Sequence, residues 1–326
     1  MTERASIRSE NHRSHILALD QMRQILSCFP YGARIIGAQP MQEMQPCPLR
    51  ITVFDTERRE TRYVVLRLSR NRGGVEREAS VLPFLHSLGL PVPRLLAGPG
   101  RKTGSSESFA VLEMLPGVTL QVLADSSELG ASVAKRLLVD GIVRLFAAPP
   151  AVEQSSVADT LPRTSLHDEW VKLSDASGDW APVPRYREAV RQLESHCLTA
   201  SEETPLVFSN GDYQPGNFLS DGKTLTGFLD FEKAGFEDPL WTLARYPVYA
   251  LEPFERAGLT QAVLDRLGFT ERQFAVRVAL FGLRTLRTKT TPDGSRNGAL
   301  RDRVRELVDR SLQSVRLSGA VRSDAG

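Results

Sequence analysis

Leu206-Val207-Phe208-Ser209-Asn210-Gly211-Asp212-Tyr213-Gln214-Pro215-Gly216-Asn217-Phe218-Leu219 is the stretch on which the reading turns. An apolar run leads into Gly-Asp, a turn follows at Pro-Gly, and Asn217 opens a second short strand. Leu225-Thr226-Gly227-Phe228-Leu229 then reads as a strand ending on Asp230-Phe231-Glu232. Asn217 lies five residues after Asp212, and Asp230 thirteen after Asn217. A hairpin of that length brings Asn217 and Asp230 side by side, with Asp212 across the gap. An amide oxygen converging with a carboxylate suits Mg²⁺, a hard cation that prefers oxygen ligands and shares phosphate. The separate carboxylate is then placed to accept a hydroxyl proton.

Upstream of this stretch the texture is β-rich. Ile51–Phe54 and Tyr63–Leu68 read as a hairpin around a charged turn, Asp55 to Glu60. From Gly74 to Leu88 the apolar spacing becomes helical, with a kink expected at Pro83, which lacks an N–H. Arg94–Ala97 and Phe109–Glu113 form a second hairpin around a Gly/Ser loop, 98–106. Pro116-Gly117 breaks the chain, and helices dominate beyond it. Val133, Leu137, Leu138, Ile142 and Leu145 make one stripe, Thr270 with Gln273 a capping box, and Leu300 to Leu312 a last amphipathic helix. The expected fold class is α+β with two lobes, the first β-rich and the second mainly helical. The boundaries are an N-terminal extension at 1–32, a first lobe at 33–115, a second at 116–317 and a disordered tail at 318–326.

Composition narrows the function. At 326 residues the chain exceeds a single compact core. Charged residues (25%) and apolar ones (41%) sit near globular averages, which excludes a wholly disordered or fibrous chain. A formal net charge of +2 demands neither nucleic acid nor an anionic membrane. Three scattered cysteines and no apolar leader or span predict a cytoplasmic protein, by default a monomer. Gly222-Lys223-Thr224 is no P-loop, because Asn217 stands where that motif needs its first glycine. The histidines are too scattered for zinc, and no GxSxG elbow exists.

Three blocks in order resemble the aminoglycoside phosphotransferase family, small-molecule kinases with a protein-kinase-like fold. They are Asn210-Gly211-Asp212 through Asn217, then Asp230-Phe231-Glu232, then Glu237-Asp238-Pro239-Leu240-Trp241-Thr242-Leu243-Ala244. In the first lobe, Val64-Val65-Leu66-Arg67 resembles the strand with the phosphate-binding cation, and Arg77-Glu78-Ala79 the helix with its carboxylate partner. Leu112-Glu113-Met114-Leu115-Pro116-Gly117 resembles the hinge that receives the nucleotide base. The resemblance implies a phosphotransferase that uses ATP or GTP and Mg²⁺ on a hydroxyl of a small molecule. Asp212 would be the catalytic base, and Asn217 and Asp230 would hold the metal. Arg67 with Glu78 would orient the phosphates, and Glu113 and Leu115 would face the base.

The sequence also departs from the family pattern. Asn210 replaces the usual histidine, Glu237 a glycine, and Thr242 an aspartate that anchors the catalytic loop. Asn210 and Thr242 are expected to compensate each other in bracing that loop. The phosphate-covering segment is poor in glycine, which points to modest nucleotide affinity. The competing function is a catalytically silent nucleotide-binding or scaffold protein of the same fold. A protein kinase is a weaker reading, since no Ala-Pro-Glu block follows Asp230. For the acceptor the charges conflict. Asp168-Glu169 and Asp175 with Asp179 offer an acidic wall, whereas residues 251–326 carry 14 basic against 9 acidic side chains.

Overall fold

The computed structural model describes residues 17–42, 47–102, 104, 106–175, 184–289 and 298–323. The chain forms two compact units that divide between Leu115 and Pro116. It is of mixed class, with a β-rich N-terminal unit and a helical C-terminal one.

The first unit contains α1 (Leu19–Leu26), β1 (Arg34–Pro40), β2 (Leu49–Asp55), β3 (Glu60–Ser69), α2 (Arg72–Ser87), β4 (Leu95–Arg101) and β5 (Ser108–Glu113). The strands pair antiparallel in the order β1-β2-β3-β5-β4. Alternation makes the core: Leu49, Ile51 and Val53 of β2 face inward with Val64, Leu66 and Leu68 of β3 and with Phe109 and Val111 of β5. Ile25 of α1 is fully buried among them, so part of the segment expected as an extension belongs to this core. The β2–β3 turn is held by the buried carboxylate of Asp55, which accepts from the backbone N–H groups of Glu57 and Arg58, both at 3.1 Å. Helix α2 runs unbroken through Pro83 and packs on β3, β4 and β5 with Val75, Ala79, Leu82 and Leu85 buried.

The loop expected at 98–106 is shorter than its composition predicts. β4 continues to Arg101 through two register shifts against β5. Glycine makes this possible: a Cβ on Gly100 would lie 2.7 Å from the ring of Phe109.

The second unit contains β6 (Val118–Thr119), α3 (Leu120–Ser126), α4 (Glu128–Phe146), α5 (Pro149–Glu153), β7 (Arg163–Thr164), α6 (Leu166–Asp175) and α7 (Pro184–Glu203). β8 (Val207–Ser209), β9 (Phe218–Ser220), β10 (Leu225–Phe228) and β11 (Gly235–Glu237) follow. Helices α8 (Arg245–Tyr249), α9 (Leu259–Leu267), α10 (Glu271–Lys289) and α11 (Gly298–Ser323) complete it. The β9–β10 hairpin turns at Asp221-Gly222, where the Asp221 carboxylate accepts from the N–H groups of Lys223 and Thr224, both at 2.8 Å. Three further strands emerge that the sequence does not announce. β6 joins β9, while β7 and β8 flank β11. Strands of two or three residues carry no readable alternation; their partners define them.

The capping box forms as read, with the Gln273 N–H donating to Thr270 Oγ1 at 3.2 Å and the Thr270 N–H to Gln273 Oε1 at 2.9 Å. Helix α11 extends through Ser318 to Ser323, where the sequence reading has a loose tail. No described helix is long and apolar enough to cross a membrane.

One buried ion pair ties α10 to the segment after β11. Arg277 donates through Nε to Asp238 Oδ1 (3.1 Å) and through Nη2 to Oδ2 (2.6 Å), and both residues are almost wholly buried. Thr204 Oγ1, the Gln273 carbonyl and the Leu240 N–H satisfy their remaining groups. Removing one partner strands a buried charge. Asp238→Ala should therefore lose about 3–5 kcal/mol of unfolding free energy in urea titration. A loss within the error of that titration would show the pair to be dispensable.

Candidate active site

The loop after β8 is built by its own side chains. Gly211 takes φ +77°, and a Cβ there would lie 2.6 Å from the Lys233 carbonyl oxygen, so the position requires glycine. The Gly211 N–H donates to Ser209 Oγ at 2.8 Å, and the Asp212 N–H to Asn210 Oδ1 at 3.2 Å. The Asn217 side-chain amide donates to the Asp212 carbonyl at 3.0 Å, which leaves Oδ1 as its acceptor.

A single residue, Leu229, links this loop to the end of β10. The Leu229 N–H donates to the Asn217 carbonyl at 2.8 Å, and the Leu229 carbonyl accepts from Asn210 Nδ2 at 3.2 Å. Asp230, the next residue, takes φ +61°, a left-handed conformation that Asp and Asn enter more readily than other side chains. Two oxygen donors of this kind fit Mg²⁺, which binds through one or two protein ligands and completes its shell with phosphate and water. Among the described residues no group of three or more His, Cys, Asp and Glu side chains forms a self-sufficient metal cage.

Three side chains that the sequence reading missed surround Asp212. Arg245, at the start of α8, pairs through Nη1 with Asp212 Oδ1. Gln214 Nε2 donates to Oδ2 at 2.8 Å, and Lys233 Nζ lies 3.7 Å from the same oxygen. Burial pushes the Arg245 guanidinium below its ordinary value. Lys233 was visible as the residue after Asp230-Phe231-Glu232, and Arg245 as the one after the third block. Neither carries a motif of its own.

Asn210 and Thr242 act separately. Asn210 braces the loop directly. Thr242 instead donates to Glu237 Oε1 at 2.6 Å, and the buried Glu237 carboxyl lies near the hydroxyls of Ser209 and Tyr213. Thr242 therefore reaches the loop through a second carboxylate and makes no bond to Asn210. The Glu237 carboxyl is held above the ordinary 4.5 by burial, partly offset by those hydroxyls.

In the first unit, Arg67 Nε lies 3.4 Å from Glu78 Oε2, joining β3 to α2 as the sequence predicts, with Glu78 buried. Glu113, at the end of β5, engages Arg94 through both carboxylate oxygens, at 3.1 and 3.3 Å. Leu115 lies in the irregular segment that closes this unit. The acidic wall is not built as expected. Asp168 caps α6, accepting from the Ser165 N–H and hydroxyl at 2.7 Å each, and Glu169 is paired with Lys172 and Arg284. Asp179 lies outside the described residues.

A five-stranded antiparallel sheet in one unit, and in the other a Gly-Asp loop bonded to a strand ending in Asp, define the protein-kinase-like class. The model of the phosphotransferase enzyme family matches residues 52–276. The chain belongs to that family, and its class is that of the small-molecule kinases. Aminoglycoside phosphotransferase APH(4)-Ia superposes with a TM-score of 0.62 at 18% identity, over 90% of this chain and 97% of that one. APH(2")-IIIa, solved with GDP and kanamycin, gives 0.55 at 19% identity over 91% and 97%. A thermostable APH(4)-Ia mutant, solved with AMP-PNP and hygromycin B, gives 0.59 at 19% over 90% and 98%. No curated protein matches the chain.

Two predictions follow from the loop. Asn210→Ala leaves the Asp212 N–H and the Leu229 carbonyl without their partner and should cost about 1–3 kcal/mol in thermal unfolding. An unchanged melting temperature would remove Asn210 from the brace. For Glu237, the proton is held more tightly in the folded chain than in the unfolded one. Its contribution to stability therefore falls as pH rises above 4.5 toward its raised value. Glu237→Gln abolishes that loss, so its unfolding free energy should decline less than wild type across that window; parallel profiles would refute the assignment.

Proposed function

We propose that this enzyme is a Mg²⁺-dependent phosphotransferase that moves the γ-phosphoryl group of ATP or GTP to a hydroxyl of a small molecule. The observation that carries this reading is the loop in which Asn217 bonds to the Asp212 carbonyl and also accepts from the N–H of Leu229, the residue before Asp230. Solved structures of the same fold were captured with GDP, AMP-PNP and ADP, which supports the nucleotide. Those with kanamycin and hygromycin B support a hydroxylated acceptor. Free thiols at Cys28, Cys47 and Cys197 suit a reducing, cytoplasmic setting.

Each side chain has a role in this scheme. Asp212 accepts the proton of the acceptor hydroxyl as the new O–P bond forms. The bond from Pγ to the bridging oxygen breaks, and its electron pair leaves with the nucleoside diphosphate. An ionised carboxylate offers about four lone-pair sites. Arg245 and Gln214 thus orient Asp212 without exhausting it. Asn217 and Asp230 would hold the cation, which when bound neutralises charge on the phosphate oxygens. Arg67, aligned by Glu78, would take the phosphates as a planar fork in place of the usual lysine. Backbone groups at Glu113 and Leu115 would receive the base.

Asp212→Asn should retain nucleotide binding and lose about 10²–10⁴-fold in kcat, measured by nucleoside diphosphate release. Asp230→Ala should remove the Mg²⁺ dependence of nucleotide binding in equilibrium titration. Nucleotide binding without any turnover that depends on Asp212 would favour the silent scaffold.

A further inference from the structure

Two largely buried ion pairs in the second unit are satisfied to different degrees. Arg277 meets both oxygens of Asp238 and also donates to the Gln273 carbonyl and the Thr204 hydroxyl. Arg245 has far less around it. Its side chain is 17% exposed, and its Nη1 pairs with Asp212 Oδ1. Its buried Nε has no hydrogen-bond partner among the described residues. Burial moreover works against its charge. Such a guanidinium costs the fold stability, and groups of that kind gather where function requires them.

The partner of Arg245 is the candidate base, and there it makes the two carboxylate oxygens unequal. Each such oxygen offers about two acceptor sites. Oδ1 takes Arg245 Nη1 and the Gln214 backbone N–H, the latter at 3.3 Å. Oδ2 takes Gln214 Nε2 at 2.8 Å. Lys233 Nζ, 3.7 Å from Oδ2, is outside hydrogen-bond distance of it. Oδ1 is thus filled, and Oδ2 keeps one site. Helix α8 holds this arrangement with two consecutive residues, because Tyr246 donates its hydroxyl to the Tyr213 carbonyl at 2.6 Å. Neighbouring residues of the helix clasp neighbouring residues of the loop.

We propose that Arg245 is a positioning residue of the reaction: it closes Oδ1 and locks the carboxylate so that Oδ2 meets the acceptor hydroxyl. The proton of that hydroxyl passes to Oδ2 as its oxygen bonds to Pγ. The bond from Pγ to the bridging oxygen breaks, with its electron pair on the departing diphosphate. This role rests on the phosphotransferase reading proposed above, whereas the lock on Asp212 does not. The contact is made through one nitrogen rather than a fork, so a lysine ammonium can replace it. Methionine keeps an unbranched stem and has no donor.

The test reads the Asp212 carboxylate carbon by NMR in the full chain labelled with ¹³C-aspartate, the resonance being identified by its loss in Asp212→Asn. One narrow line is expected in the wild type and in Arg245→Lys, and a broadened or split line in Arg245→Met. In parallel, nucleoside diphosphate release from Mg²⁺·ATP is measured with kanamycin, glucose or water as acceptor. Arg245→Met should lower kcat by about tenfold or more, as expected for a lost hydrogen bond to a charged group, with KM for ATP unchanged. Arg245→Lys should restore most of that loss. A broad line in the wild type overturns the proposal even where Arg245→Met does not fold. So does a narrow line or an undiminished kcat in Arg245→Met, or an Arg245→Lys that behaves as Arg245→Met. Diphosphate release that depends on Asp212, alongside any of those results, leaves the phosphotransferase reading intact. The expected lines in a chain that neither binds nor turns over Mg²⁺·ATP keep the lock and remove that reading, and the role with it.

Discussion

The backbone of Leu229 is the constraint on which the site depends. Its N–H is held by the Asn217 carbonyl and its carbonyl by the Asn210 side chain. Two segments far apart in sequence, 210–217 and 229–230, thereby share one rigid unit. The candidate base Asp212 and the candidate ligand Asn217 lie on the first of these segments, and the candidate ligand Asp230 on the second. A side chain on a loop is ordinarily free to wander. Here backbone groups are saturated locally, so the geometry of Asp212 against Asp230 is set before any ligand arrives, which is the pre-organisation that phosphoryl transfer requires.

Around that unit the protein replaces familiar braces with different chemistry. Asn210 supplies one donor and one acceptor, enough for both bonds the loop needs. Thr242, a neutral hydroxyl, works through Glu237, whose burial makes it a poor bearer of charge. The buried pair of Asp238 and Arg277 fastens the same segment from the other side, onto α10. The Thr242–Glu237 bond and one ion pair thus hold the segment in which the family pattern has an additional aspartate.

Much of this was legible in the sequence, for physical reasons that can be named. The β2–β3 and β9–β10 hairpins announce themselves because Asp55 and Asp221 bond to the amides of their own turns. Such contacts lie within a few residues, so spacing alone reveals them. The bond from the Leu229 N–H to the Asn217 carbonyl was readable from the length of the hairpin between them. The clamp of Arg245 on Asp212 was not, because the two lie 33 positions apart and only the packing of α8 closes that distance. Asp168 and Glu169 misled in the opposite sense. Two adjacent carboxylates read as an acidic surface, whereas one caps a helix and the other is enclosed by cations.

The left-handed backbone at Asp230 carries a consequence for descent. A position with φ +61° accepts Asn or Gly at little conformational cost and resists branched or bulky side chains. Under the proposed function, selection for the cation and selection for the backbone act on the same site but permit different residues. A lineage that abandoned catalysis would drift there first toward Asn or Gly, with its fold undisturbed. Asn or Gly at this position, in a descendant that keeps Asn210 and Gly211, would mark the loss of chemistry within a surviving architecture.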